Sequence, residues 1–168
     1  MAEAAPTDIR EAAVWRLLQE VKDPEVPVLS VVNLGIVRDV VFDGETLEVT
    51  ITPTYSGCPA MNMIEAQIAE VLKREGFGEA RVKTVLSPAW TTDWMDEEGR
   101  RKLKAFGIAP PEKTSADKRA LFGEVPPVAC PRCSSENTEM VSEFGSTACK
   151  ALYKCGDCLE PFDHFKCI

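Results

Sequence analysis

Long apolar runs are missing from this sequence. None approaches the roughly 20 residues needed to cross a bilayer, so no membrane-spanning helix is expected. The amino end, Met1-Ala2-Glu3-Ala4-Ala5-Pro6, has neither a basic start nor an apolar stretch. It is unlike a secretory leader, and a cytoplasmic protein is the expectation. Clustered basic charge is missing too. Nineteen Lys and Arg stand against 27 Asp and Glu, a net charge of −8, with the signs mixed along most of the chain. Binding to a phosphate backbone needs grouped cations, so nucleic acid is not an expected partner. Histidine is almost absent. His164 is the single one, far in sequence from Cys58. The amino-terminal part therefore has no Cys–His pair, which argues against a free-standing thiol enzyme. There is no low-complexity tract and no repeat beyond two CxxC pairs.

What is present suits one ordinary domain plus a small module: 168 residues, 45% of them apolar and 27% charged. A core of that size forms without disulfides. Seven cysteines are very unevenly placed: Cys58 stands alone, and Cys130, Cys133, Cys149, Cys155, Cys158 and Cys167 share the last 39 residues. An odd count without an export signal reads better as metal binding plus a free thiol than as a disulfide framework.

In chain order, Val14, Leu17, Leu18 and Val21 follow helical spacing, and the helix should stop at Asp23-Pro24-Glu25-Val26-Pro27. Ile36 to Phe42 reads as a strand, Asp43-Gly44 as a hairpin turn, and Thr46 to Thr52 as a half-buried strand with Leu47, Val49 and Ile51 inward. Ala60 to Glu75 is the strongest helix, with Ile64, Ile68, Val71 and Leu72 on one stripe and a glycine stop at Gly76. Arg81 to Leu86 should be a third strand, parallel to the second across the helix. Trp90 and Trp94 are expected either to wall a site beside Cys58 or to cap the core. Met95 to Phe106 reads as a short charged helix anchored by Leu103 and Phe106. The fold class expected is α+β: a small two-layer α/β domain (helix, β-hairpin, helix, strand) over 1–107, a linker over 108–128 with prolines at both ends, and a zinc-ribbon-like metal module over 129–168.

The stretch Thr52-Pro53-Thr54-Tyr55-Ser56-Gly57-Cys58-Pro59 joins the second strand to the strongest helix. The spacing predicts Cys58 at the N-cap and Pro59 at the first helical position. Unpaired amides and the positive end of the helix dipole would then favour thiolate, the form that binds metal or attacks. The alternative is an inert cysteine packed under the helix.

Cys130-Pro131-Arg132-Cys133 and Cys155-Gly156-Asp157-Cys158 are two knuckles separated by 21 residues. Four thiolates suit a closed tetrahedral Zn²⁺ site. The same sulfurs can hold iron or a cluster. A module of about 40 residues is too small to fold on its core alone, so the metal would supply folding free energy. Cys149, His164 and Cys167 are spare potential ligands, with His164 expected on the surface. The module carries Arg132, Lys150, Lys154 and Lys166 against six carboxylates, which fits a structural or protein-docking role.

Three stretches, Asp23-Pro24-Glu25-Val26-Pro27, Val32-Asn33-Leu34-Gly35-Ile36-Val37 and Thr54-Tyr55-Ser56-Gly57-Cys58-Pro59, together with Pro88-Ala89-Trp90, resemble the small α/β family of iron–sulfur assembly proteins that includes SufT-type and eukaryotic cytosolic targeting factors. Asn33 stands where that family commonly has aspartate. The tail from Phe144 through Tyr153 to Cys167 resembles the PaaD family of phenylacetate-degradation proteins, encoded with the subunits of phenylacetyl-CoA epoxidase. The resemblance implies a cytoplasmic accessory protein of a multicomponent monooxygenase in aerobic phenylacetate catabolism, with the oxygenase and reductase subunits as partners. It implies that Cys58 carries the activity of the first domain, holding iron or an iron–sulfur cluster transiently, with Asp23 and Glu25 shaping that site. A homodimer would bring two Cys58 thiolates to one cluster. The rival expectation is a non-catalytic structural component of the epoxidase complex that docks through the zinc ribbon.

Overall fold

Alternation and helical spacing become two layers in the first half of the chain. The computed structural model describes residues 9–78, 80–113 and 127–166. They fall into two compact units that divide between Asp96 and Glu97. In the first, helix α1 (Ile9–Leu18) buries Val14 and Leu18 and packs on the second helix and the first strand. It unwinds through three i→i+3 bonds: Gln19 to Arg16, Glu20 to Leu17 and Val21 to Leu18. Strands β1 (Val37–Asp43) and β2 (Thr46–Ile51) form the expected hairpin, with Gly44 at φ +62° in the turn. Leu47, Val49 and Ile51 are fully buried. Helix α2 (Met61–Arg74) returns the chain and buries Met61, Ile64, Ile68 and Leu72. Strand β3 (Arg81–Thr84) then lies parallel to β2, giving the order β1-β2-β3. The βαβ unit is thus as the spacing predicts, though β3 stops two residues short of Leu86.

The apolar stretch 28–36 is a chain of tight turns, with Leu34 N–H bonded to Ser30 O and Gly35 N–H to Val32 O. Asn33 sits at its centre, fully buried. Its backbone N–H donates to Ser30 Oγ, its Oδ1 accepts from Ser30 N–H, and its Nδ2 donates to Asp96 Oδ2 at 2.9 Å. Its carbonyl accepts from Asp96 N–H. The side-chain amide is thus the donor that lets the Asp96 carboxylate come so near. Asn33→Asp should therefore destabilise the first unit by roughly 1–3 kcal/mol at neutral pH, because a donor becomes a like charge. The new carboxyl's folded pKa would lie above its unfolded value. The deficit is full above that raised pKa and shrinks as pH falls through it towards the ordinary aspartate range. Urea unfolding of both proteins at two pH values checks this, and a deficit that grows on acidification would refute it.

In the second unit, α3 (Glu97–Phe106) leads into β4 (Ile108–Ala109), followed by β5 (Thr138–Ser142), β6 (Lys150–Cys155) and β7 (Pro161–Phe165). The sheet order is β4-β7-β6-β5, with β4 parallel to β7 and the other pairs antiparallel. Two expectations change. The boundary between units comes at Asp96, before α3, rather than at 107. Ile108 and Ala109, assigned to the linker, are buried strand residues paired with Asp163 and His164. The cause is the open edge of β7, whose backbone groups β4 satisfies before Pro110 ends the pairing. Residues 114–126 of the expected linker lie outside the described residues. One core cluster of this unit is Ala109, Cys130, Ala151, Tyr153, Cys155 and Phe162, with Val128 packed against it; Leu103, Ile108 and Phe165 are buried too. Among the described residues no helix is long and apolar enough to cross a membrane.

Candidate functional site

In the second unit the two knuckles are built alike. In each, the first cysteine's N–H bonds to the carbonyl five residues on, Cys130 to Ser135 and Cys155 to Glu160. In each, the residue after the second cysteine takes a positive φ, +63° at Ser134 and +65° at Leu159. This turn points both sulfurs of a knuckle the same way. The strand pair β5–β6 and the Asp157 carboxylate, which accepts from Ser135 Oγ and Asn137 Nδ2, hold the knuckles together. Those two donors lower the Asp157 pKa. The result is four sulfurs within 4.8 Å of one another, with Cys130 and Cys155 buried and Cys133 and Cys158 exposed.

The donor set fits a tetrahedral metal. Zinc–sulfur bonds of about 2.3 Å give a sulfur–sulfur edge of about 3.8 Å. Cys130 to Cys158 is 3.7 Å and Cys133 to Cys155 is 3.5 Å. Protonation tells the same story. The Cys158 amide, above all, lowers Cys155 to about 7, against the cost of desolvation. Cys158 is pushed up to about 12: the Glu160 amide pulls it down, but desolvation and the three neighbouring sulfurs prevail. Cys133 is also raised, as desolvation and nearby thiols overcome the Ser135 amide. Four thiolates cannot share this space unless a cation neutralises them.

The spare ligands do not join. Cys149 is buried with its sulfur 3.2 Å from Thr147 Oγ1. His164 is half-buried rather than on the surface. Its Nδ1 lies 3.2 Å from Ala109 O, its ring meets Tyr153 edge-on, and desolvation lowers its pKa. Cys167 lies outside the described residues.

The first unit carries the single thiol. Cys58 is half-buried and unbonded to another cysteine. It is not the N-cap of α2. That place belongs to Ala60, already helical at φ −68°, ψ −21°, with no side-chain cap. Cys58 sits two residues earlier, where two successive turns wind the chain into the helix. Its N–H donates to Tyr55 O, and its carbonyl accepts from Met61 N–H. Pro59 therefore precedes the helix instead of opening it. Gly57, at φ +85°, makes the reversal before the sulfur. Asp23 is buried in the loop after α1, where its Oδ1 accepts from Glu25 N–H and Val26 N–H, both at 2.7 Å. Glu25 is half-buried beside it. Among the described residues, Cys58, Asp23 and Glu25 do not converge as a three-ligand group; the four knuckle cysteines do.

Trp90 does cap the core: it is buried and its Nε1 donates to Leu34 O at 2.8 Å. Trp94 is half-buried under the Arg38 guanidinium, 3.5 Å from the ring centroid. The residues that sequence reasoning passed over are Asp96 and Gly35, both tied to this segment. Only the Asn-for-Asp exchange at position 33 hinted at them.

Two family matches fall one in each unit. Residues 11–85 match the family described as iron–sulfur cluster assembly protein, and residues 114–166 match the PaaD zinc beta ribbon domain. Over 169 aligned positions the chain is 48% identical to a protein of Escherichia coli K12 described as a putative component of 1,2-phenylacetyl-CoA epoxidase, spanning all of this chain and 98% of that one. The chain belongs to the PaaD family. Two further relatives match a little over half of the chain. A protein of Porphyromonas gingivalis called "Fe-S protein maturation auxiliary factor" is 34% identical over 96 residues, 55% of this chain and 90% of that one. A crystal structure of a DUF59 domain from Bacillus anthracis superposes with a TM-score of 0.52 at 30% identity, covering 55% of this chain and 90% of that one. The PaaD family thus adds a metal-binding ribbon to a DUF59-like fold. Residues 97–109, α3 and β4, fall in neither matched segment.

Proposed function

We propose that this chain is a cytoplasmic accessory factor of a phenylacetyl-CoA epoxidase in phenylacetate catabolism, and that it assists assembly of the complex's iron–sulfur or di-iron centres through Cys58. The observation that carries the reading is the lone, half-buried thiol on the turn before α2, inside the segment that matches iron–sulfur assembly proteins. The likeness to the Escherichia coli epoxidase component supports this choice of client. The cargo is iron or a cluster, and the step is ligand exchange. The Cys58 thiolate coordinates an iron, a client ligand replaces it, and the thiolate leaves with no change in oxidation state. One thiolate binds weakly, so the other ligands come from the client or from a second copy of the chain. Asp23 holds the loop that carries Glu25 by accepting two amides, a shaping role. The ribbon's four thiolates hold zinc as a structural ion, because they close the site and leave no position open for chemistry.

Cys58→Ser is the test, in cells expressing the epoxidase. Serine's hydroxyl stays protonated and is a poor ligand for soft metals, so iron occupancy and activity of the oxygenase and reductase should fall on the order of tenfold. Full iron and activity would sink the delivery role. One observation favours the rival, a structural component of the complex that docks through the ribbon: among the described residues Cys58 has no group of three converging ligands. That reading predicts fixed-stoichiometry co-purification with active enzyme, unaffected by Cys58→Ser.

A further inference from the structure

The sequence expects Leu103 and Phe106 to anchor α3. Only Leu103 does; Phe106, the last residue of the helix, is 59% exposed. Its ring lines an open groove of about 570 Å³, together with Arg101, Lys104, Gly107, Pro131 and Arg132. The groove runs from the carboxyl end of α3 to the first metal knuckle, within the second unit. Three cations line it and no carboxylate does, in a chain of net charge −8. Lys102 on the same helix is paired with Glu98 at 2.7 Å. Arg101, Lys104 and Arg132 have no ion pair among the described residues, whereas Arg74, Arg81, Lys83, Lys113, Lys150 and Lys166 all do. Lys104 in the last turn also offsets the helix dipole. Arg101 feels the charge of Glu97 one turn earlier without forming an ion pair, and neither effect accounts for Arg132 on another element or for the exposed ring.

The geometry points to a docking groove for an acidic segment of a partner protein, one that carries an apolar side chain against Phe106 and spaced carboxylates against Arg101, Lys104 and Arg132. A compact phosphate group fits less well. The groove lies at the negative end of α3, and its cations stand on long exposed stems spread over two elements. Carboxylates distributed along an extended chain match that spacing, and an exposed aromatic beside unpaired arginines is the composition of interface anchors. This inference concerns recognition and does not depend on the thiol role of Cys58.

The test uses the full metal-loaded chain and a fluorescein-labelled peptide of sequence Glu-Asp-Glu-Phe-Glu-Asp-Glu, read by anisotropy at low salt. Reversing all three charges (R101E, K104E and R132E) should weaken binding by about tenfold or more, and Phe106→Ser by roughly threefold. Cys58→Ser and the first-unit reversal Arg81→Glu/Lys83→Glu should leave binding unchanged. Metal content verifies folding, and the double variant R101E/K104E, which leaves the knuckle intact, should already show most of the loss. Equal binding by the parent and the charge-reversed chains would overturn the proposal. So would displacement of the peptide by inorganic triphosphate with Phe106→Ser binding it as tightly as the parent, since that marks a phosphate site.

Discussion

Stripping the metal from the full chain is expected to unfold the second unit and leave the first folded. The core cluster around the knuckles holds only six buried residues and Val128, and two of the six, Cys130 and Cys155, are metal ligands; Leu103, Ile108 and Phe165 add few further buried apolar side chains. Such a core does not outweigh the entropy of ordering the chain around it. Structural zinc in comparable modules contributes an apparent binding free energy of about 10–16 kcal/mol at neutral pH. Losing it removes as much as, or more than, the roughly 5–15 kcal/mol of stability that an ordinary domain possesses. The four thiols without a cation also cannot all ionise, with Cys155 near 7 and Cys158 near 12. Acidification should act like chelation. Metal-bound thiolates have depressed pKa values, so their stabilisation is present at higher pH and lost as pH falls through those values. The measurement is simple because all three tryptophans, Trp15, Trp90 and Trp94, lie in the first unit. A strong chelator, or Cys155→Ser, should abolish amide-exchange protection in β5, β6 and β7 while tryptophan fluorescence stays native. Persistent protection in β6 after complete metal removal would contradict this.

The second large effect is expected in the first unit, from Gly35→Ala. Gly35 adopts φ +70°, and a Cβ there would lie 2.4 Å from Trp94 O and 2.8 Å from Trp94 C. The left-handed backbone alone costs an alanine roughly 1–2 kcal/mol. The clash is with backbone, which cannot rotate away. Trp94 is fixed by its N–H bond to Thr91 O and by the Arg38 guanidinium on its ring, and Asn33 O binds Asp96 N–H two residues later. Overpacking adds roughly 1–3 kcal/mol, for a total of about 2–5 kcal/mol. In a domain of this size that lowers Tm by on the order of 10 °C or more. Gly57→Ala is the control: φ is also positive, +85°, but nothing lies within 4 Å of the added carbon. It should cost only the backbone penalty. Similar losses for both variants would show that Trp94 yields easily, and that the segment 90–96 is not locked over the turn at 30–36.

Much of the first unit was legible because its signals are local. Leu47, Val49 and Ile51 alternate, Asp43-Gly44 turns the hairpin, and Ile64, Ile68 and Leu72 repeat at helical spacing; each pattern is complete within a few residues. The position of Cys58 was not local in that sense. Proline at a helix start is a strong cue, yet the turn from Tyr55 and the helical backbone at Ala60 move the first helical residue to Met61. Phe106 fits the apolar spacing of α3 but faces solvent, because spacing alone cannot say that Ile108 and Ala109 will fill the edge of β7 instead.

The sequence by itself determined the metal centre: two CxxC pairs at that separation, in a segment too short for a core, leave metal coordination as the source of folding free energy. It determined the βαβ unit as well, because periodicity and turn chemistry act between near neighbours. Only the tertiary structure decided which groups meet across long separations. Asn33 reaches Asp96 across 63 residues and Trp90 reaches Leu34 across 56. β4 closes a sheet with a strand more than 50 residues later. Such contacts form because the folded backbone brings buried polar groups and open strand edges to partners that satisfy them, and one-dimensional spacing does not record that requirement.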